Sequence, residues 1–245
     1  MPVPAHWRTI PRIAAIVRTE RVAVPHTNDA HYAFDESGAT WIAKREADMG
    51  CEALLAEAAT WHLARLVGVP VPDAAFCPHR AERAWLSARL SPTKHWSVDQ
   101  LPLVANARQA AAILALDAVT HNEARHGGNL LLVPAADGVG LTVVAIDADE
   151  ALIGHLDDAR LRAMVAPDPR ILARGFPGRA WQADAEAAAI LLAQLPRDTL
   201  VAIAADACDV ARETRVAELL DLLCWRCARA VELTRAYINR IEARP

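Results

Sequence analysis

Asn122-Glu123-Ala124-Arg125-His126-Gly127-Gly128-Asn129 leads into Leu130-Leu131-Leu132-Val133, a turn through Ala135, Asp137 and Gly138, and then Leu141-Thr142-Val143-Val144-Ala145-Ile146-Asp147. Two runs of branched apolar residues around a polar, glycine-containing turn read as a hairpin. Such a hairpin brings its two ends together, so Asn129 and Asp147 become neighbours although they are far apart in the chain. An amide oxygen and a carboxylate are hard donors, the kind that suits magnesium. Taken alone, the octet 122–129 is also compatible with a capped polar turn that Gly127 and Gly128 simply bend.

Working outward, the segment before Leu90 reads as strands with one helix. Ile13–Arg18, Val22–Val24, Tyr32–Phe34 and Thr40–Lys44 are short and rich in β-branched or aromatic residues, and Asp35-Glu36-Ser37-Gly38 between the last two is a turn signal. From Cys51 to Val67 the apolar residues Leu54, Leu55, Ala58, Trp61 and Leu66 recur near the helical period. Gly68 is placed to stop that helix, Pro70 and Pro72 keep the following segment extended, and Ala84–Leu90 reads as one more strand. Beyond Ser91 the chain is mainly helical, with helices expected over Asn106–Val119, Ala180–Leu195 and Val216–Ile241. The expected class is α+β: a sheet-rich lobe over 1–92, a hinge near 86–92, and a helical lobe over 93–245 that carries the hairpin.

Two further residues gain meaning from this outline. Lys44 closes the apolar strand Trp41-Ile42-Ala43 and can direct its ammonium at an anion beside the sheet. Glu57 lies on the helix that follows and can pair with it; Glu52 is the rival carboxylate. The octet, Lys44, Glu57 and Asp147, in this order, resemble HipA-like and phosphatidylinositol-kinase-like proteins, whose motif is N-x-D-R-H-x-x-N followed by a hairpin and an aspartate. The helix pattern from Glu57 through Leu63-Ala64-Arg65-Leu66 to Gly68, Pro70, Val71 and Pro72 is similar to the corresponding helix of the same family. The resemblance implies a bilobal protein-kinase-like fold with ATP and Mg2+ in the cleft. It implies that Asn129 and Asp147 hold the metal. Lys44, Glu57 and His126 serve the phosphates or buttress the loop around them, and Ala88 and Leu90 lie beside the nucleotide at the hinge.

One position departs from the motif. Ala124 stands where the family has its catalytic aspartate, and a methyl group can neither take a proton nor orient a hydroxyl. Glu123 is adjacent, but neighbouring side chains on a tight loop point in different directions. A lost general base typically costs about 10²- to 10⁴-fold in rate. Two readings therefore stand side by side: a substitution introduced into an active serine/threonine kinase, or a natural pseudokinase that binds nucleotide and acts as a scaffold. A kinase of a small molecule or lipid headgroup is the further alternative. The segment Val24-Pro25-His26-Thr27-Asn28-Asp29, where a phosphate loop would fall, contains no glycine. The chain is also shorter than a full HipA toxin and is expected to lack its extra N-terminal domain.

Bulk properties bound the rest. The net charge of −4 and the sequence pI of about 6.1 give no global basic field, so direct nucleic-acid binding is not expected. Met1-Pro2-Val3-Pro4 opens no secretory signal and no apolar run approaches a bilayer span, so a cytoplasmic protein is expected. By resemblance the partners are a protein substrate and an antitoxin-like protein. The 5 cysteines include Cys224 and Cys227 as a C-x-x-C, read as reduced residues on a packed helix because no second ligand pair follows. Much of the 53% hydrophobic content is alanine, a helix former more than a bulky core residue.

Overall fold

A computed structural model describes residues 9–13, 15–21, 30–79, 83–91, 93–163 and 165–244. The strand expected at Val22–Val24 and the segment Val24–Asp29 lie outside the described residues. β1 (Ile16–Arg21), β2 (His31–Asp35) and β3 (Thr40–Arg45) form an antiparallel meander. The strand foreseen at Ile13–Arg18 is thus displaced toward the C-terminus. The turn between β2 and β3 is set by Asp35, whose Oδ1 accepts from the Ser37 and Ala39 amides at 2.9 and 3.0 Å. After the short helix α1 (Glu46–Met49), α2 runs over Cys51–Val67, as the periodicity predicts. Gly68 ends it in the left-handed conformation at φ 75°, returning its N–H to the Ala64 carbonyl.

β4 (Ala74–Cys77) and β5 (Ala84–Ala88) complete a five-stranded sheet in the order β1-β2-β3-β5-β4. β4 falls where the prolines predict only extended chain, and β5 ends at Ala88 rather than Leu90. The outer edge of β4 is covered by the N-terminal segment, where Ile13 donates to the Phe76 carbonyl at 2.9 Å and Phe76 to that of Pro11 at 2.8 Å.

The second sheet, in the order β6-β7-β8, comprises β6 (Lys94–His95), β7 (Leu130–Pro134) and β8 (Leu141–Ala145), the last two being the expected hairpin. Around it lie α3 (Ala107–Thr120), the short α4 (Ala159–Arg162), α5 (Gln182–Ala193), α6 (Arg197–Ala211), α7 (Val216–Ala228) and α8 (Ala230–Glu242). The single helix expected over Val216–Ile241 is therefore two, broken at Arg229, and α6 was not foreseen as a separate element. Nothing in the local sequence, neither glycine nor proline, marks the break.

α3 is the hub: every residue from Ala110 to Thr120 is buried, and α2, α5 and α8 all pack on it. Alanines at 110, 111, 112, 115 and 118 of α3, with Ala185, Ala188 and Ala189 of α5, are themselves core. Alanine here is thus a packing residue that lets helix axes approach closely, besides being a helix former. Arg226 of α7 is fully buried and satisfies the end of α3, donating to the carbonyls of Ala118 (2.8 Å) and Val119 and to Leu161 (2.7 Å). A cation at a helix C-terminus is favourably placed. Burial brings its pKa down to about 10. Cys224 and Cys227 lie on the helix α7 without a disulfide, and Cys227 is buried. Among the described residues, no single helix is long and apolar enough to cross a membrane.

Candidate functional site

The antiparallel register places Lys44 of β3 opposite Trp85 of β5. Directly paired residues project from the same face of a sheet. Glu57 sits two turns into α2, whose buried residues include Leu54, Leu55, Ala58 and Trp61 around it. Asp147 follows the C-terminal end of β8. These three residues converge: the Lys44 ammonium is hydrogen-bonded to Glu57 Oε1 and to Asp147 Oδ1. Glu52, the rival, is turned toward Cys51 Sγ, 3.3 Å from its Oε2.

A fourth member was missed by sequence reasoning. Asp149 Oδ2 lies 3.2 Å from Lys44 Nζ and is buried. The available signal was the D-x-D spacing of Asp147 and Asp149 just beyond a buried strand. Glu57, Asp147 and Asp149 each present an oxygen, and these atoms all lie within 4.8 Å of one another. An all-oxygen set of this charge suits a hard divalent cation.

The electrostatics follow from burial and crowding. Burial alone would lower the lysine pKa, but Glu57, Asp147 and Asp149 together raise it above its ordinary value. For Asp147 the opposing effects of burial and of Lys44 resolve downward, to about 2. Asp149 is pushed up to about 7 by burial and by the Asp147 and Glu57 charges, against the pull of Lys44. The direct interaction between the two aspartates acts in opposite directions on them, lowering Asp147 and raising Asp149. Asp147 is also held at φ 63°, a left-handed conformation uncommon for any residue but glycine.

Asn129 immediately precedes β7, where the chain enters the hairpin that Asp147 leaves. Its backbone carbonyl accepts from the Ile146 amide at 3.1 Å, so it stands one residue from Asp147 across the ladder. Its Nδ2 donates to the Ala124 carbonyl at 3.1 Å, which turns Oδ1 away from that group. Ala124 is buried, its N–H held by Asn122 Oδ1 at 2.9 Å. Glu123 points elsewhere: its carboxylate accepts from Arg160 at 3.2 Å and from the Asp168 amide at 3.1 Å. Among the two, neither supplies a carboxylate at position 124. His126 is exposed, and its Nδ1 accepts from the Gly128 amide at 3.0 Å. Where a hinge is expected, the Ala88 N–H donates to the Asp73 carbonyl at 2.7 Å, and Leu90 lies half-buried beyond the strand end.

The sequence matches no protein-family model and no curated protein. Solved structures do match. The Helicobacter pylori proinflammatory kinase CtkA superposes with a TM-score of 0.61 at 10% identity, covering 96% of this chain and 100% of that one. The HipA of a Shewanella oneidensis HipA–HipB–operator DNA complex gives a TM-score of 0.49 at 12% identity, over 98% of this chain and 70% of that one. The likeness to CtkA establishes that the chain has a bilobal, kinase-like α+β fold.

Proposed function

We propose that this protein holds Mg-ATP between its sheet-rich and helical parts and belongs to the HipA-like serine/threonine kinases in function, with phosphoryl transfer disabled at Ala124. The observation that carries the reading is the convergence of Lys44, Glu57 and Asp147 from three separate segments onto one point. Glu57 fixes a lysine that would reach the phosphates, the arrangement kinases use. Asp147, with Asn129 and Asp149 beside it, would hold the magnesium. Held by these residues, magnesium would supply positive charge to offset that of the phosphates. Everything else falls to the chain: Lys44 orients the phosphates, α2 keeps Glu57 in reach, and Ala88 and Leu90 border the nucleotide.

An acceptor hydroxyl needs a group that orients it toward the γ-phosphate, and Ala124 offers none. The acceptor we propose is a protein serine or threonine, with an antitoxin-like partner, both resting on the motif resemblance. Ala124→Asp is expected to raise ATP-dependent phosphorylation at least about a hundredfold, the usual contribution of a positioned base. The assay is labelled-phosphate incorporation into the protein or into lysate proteins, at equal nucleotide occupancy of both variants. A folded aspartate variant that binds Mg-ATP and transfers nothing would replace this reading with that of a nucleotide-binding scaffold.

A further inference from the structure

Arg125 is buried at 1% exposure, next to a residue that catalysis is expected to need and does not have. Its guanidinium faces two ways. Toward α3, Nε lies 3.1 Å and NH2 3.0 Å from the two oxygens of Asp117, itself fully buried. Toward the hairpin, NH1 donates to the backbone carbonyl of Asn129 at 3.1 Å and to that of Ile146. One nitrogen therefore spans the two chain segments that present Asn129 and Asp147. The Ile146 carbonyl belongs to the same rigid peptide plane as the Asp147 N–H, so holding it sets the plane from which Asp147 turns into φ 63°. A left-handed non-glycine residue is uncommon and persists where its surroundings over-determine it.

We infer that Arg125, anchored by Asp117, is a positioning residue that sets the spacing and orientation of Asn129 and Asp147 as cation ligands. The inference rests on the magnesium reading given above. The chemistry requires arginine: a planar fork can engage a carboxylate side-on while a further N–H reaches two carbonyls, whereas an ammonium offers one point of attachment. The pair is also fully enclosed, so it holds its geometry whether or not the cleft is filled. Asn122 joins it, its Nδ2 lying 3.3 Å from Asp117 Oδ1 while its Oδ1 holds the Ala124 amide. The loop that bears position 124 and the two proposed ligands are thus referred to one buried carboxylate on α3.

The test is Arg125→Lys in the full chain, with ATP affinity measured by calorimetry with magnesium and with chelator, and Mn2+ binding measured by electron paramagnetic resonance without nucleotide. We expect the magnesium-dependent gain in affinity and the Mn2+ affinity each to fall at least about tenfold, while metal-free ATP affinity changes less than about twofold. A purely structural role would lower both ATP affinities together. If the unaltered protein shows magnesium and Mn2+ dependence and a folded Arg125→Lys keeps it, the positioning role is overturned and the metal reading stands. If the unaltered protein shows no metal dependence, the metal reading fails and takes this inference with it. Should Arg125→Lys not fold, Asp117→Asn carries the test: a selective loss of at least about threefold in metal dependence supports the inference, and an unchanged value overturns it.

Discussion

Replacing Asp149 by asparagine should make the nucleotide-free protein more stable and, at the same time, poorer at holding a cation. Burial and the neighbouring carboxylates push Asp149 up to about 7 in the folded protein, against the ordinary 3.8 expected of an unfolded chain. As pH rises from about 4, the unfolded state therefore ionises first, and stability falls until the folded group has also titrated near 7; above that the penalty is constant. At about 1.4 kcal/mol per unit of pKa, the full penalty is about 4 kcal/mol at pH 8 and near zero at pH 4. Asparagine carries no charge to bury and can still donate to Asp147, as the protonated acid does. The gain expected from Asp149→Asn is thus about 2–4 kcal/mol at pH 8, shrinking toward zero at pH 4. The measurement is urea unfolding of both proteins across that range in chelator, without nucleotide. Magnesium-dependent ATP affinity should fall in the same variant. A stability difference that is flat from pH 4 to 8, or a variant less stable at pH 8, would refute the reasoning.

Lys44→Ala and Glu57→Ala should each weaken ATP binding, the first more, and the double variant should lose less than the sum, since the two side chains meet; fully additive losses by calorimetry would say that they act apart. Glu52→Ala should leave ATP affinity unchanged in the same series, because its carboxylate faces Cys51. Gly154→Ala should cost about 1–3 kcal/mol in urea unfolding, since the added Cβ would lie 2.2 Å from the Glu52 carbonyl at the start of α2. Gly68→Ala, where nothing lies within 4 Å but φ is +75°, should cost only the conformational term of about 1–2 kcal/mol. Equal losses at the two glycines would show that the turn at 152–154 yields more readily than its packing indicates.

Much of the site was legible because its parts lie on elements with strong local signals. Lys44 ends a strand bounded by a turn, Glu57 sits on a helix whose period and glycine stop are both clear, and the hairpin carries Asn129 and Asp147 at its ends. What sequence did not reveal was set by contacts from afar. Asp149 differs from any loop aspartate only by folding back onto Lys44, through the left-handed turn at Asp147. The break at Arg229 has no local cause; α7 packs mainly on α6, whereas α8 packs mainly on α3 and α5. β4 is short, alanine-rich and flanked by prolines, so its strand character comes from pairing with β5 and with residues 11–13. Arg125 read as part of a motif, but its anchorage depends on Asp117, an aspartate inside an alanine-rich helix that looks like any solvated charge.

The enclosure of α2 bears on how such a protein could be switched. In many kinases the helix bearing the glutamate swings outward, separating it from the lysine and turning the enzyme off. Here α2 has α6, α3, β5 and the turn at 152–154 around it, and Leu54, Leu55, Trp61 and Leu63 are all buried. Withdrawing four such side chains would cost about 8 kcal/mol at about 2 kcal/mol each, so a swung-out helix would be populated in fewer than about one molecule in 10⁵. On that reckoning the Lys44–Glu57 pair stays closed in the folded protein. Control of occupancy would have to act on the cleft mouth or on the charge balance around Asp147, leaving the helix where folding put it.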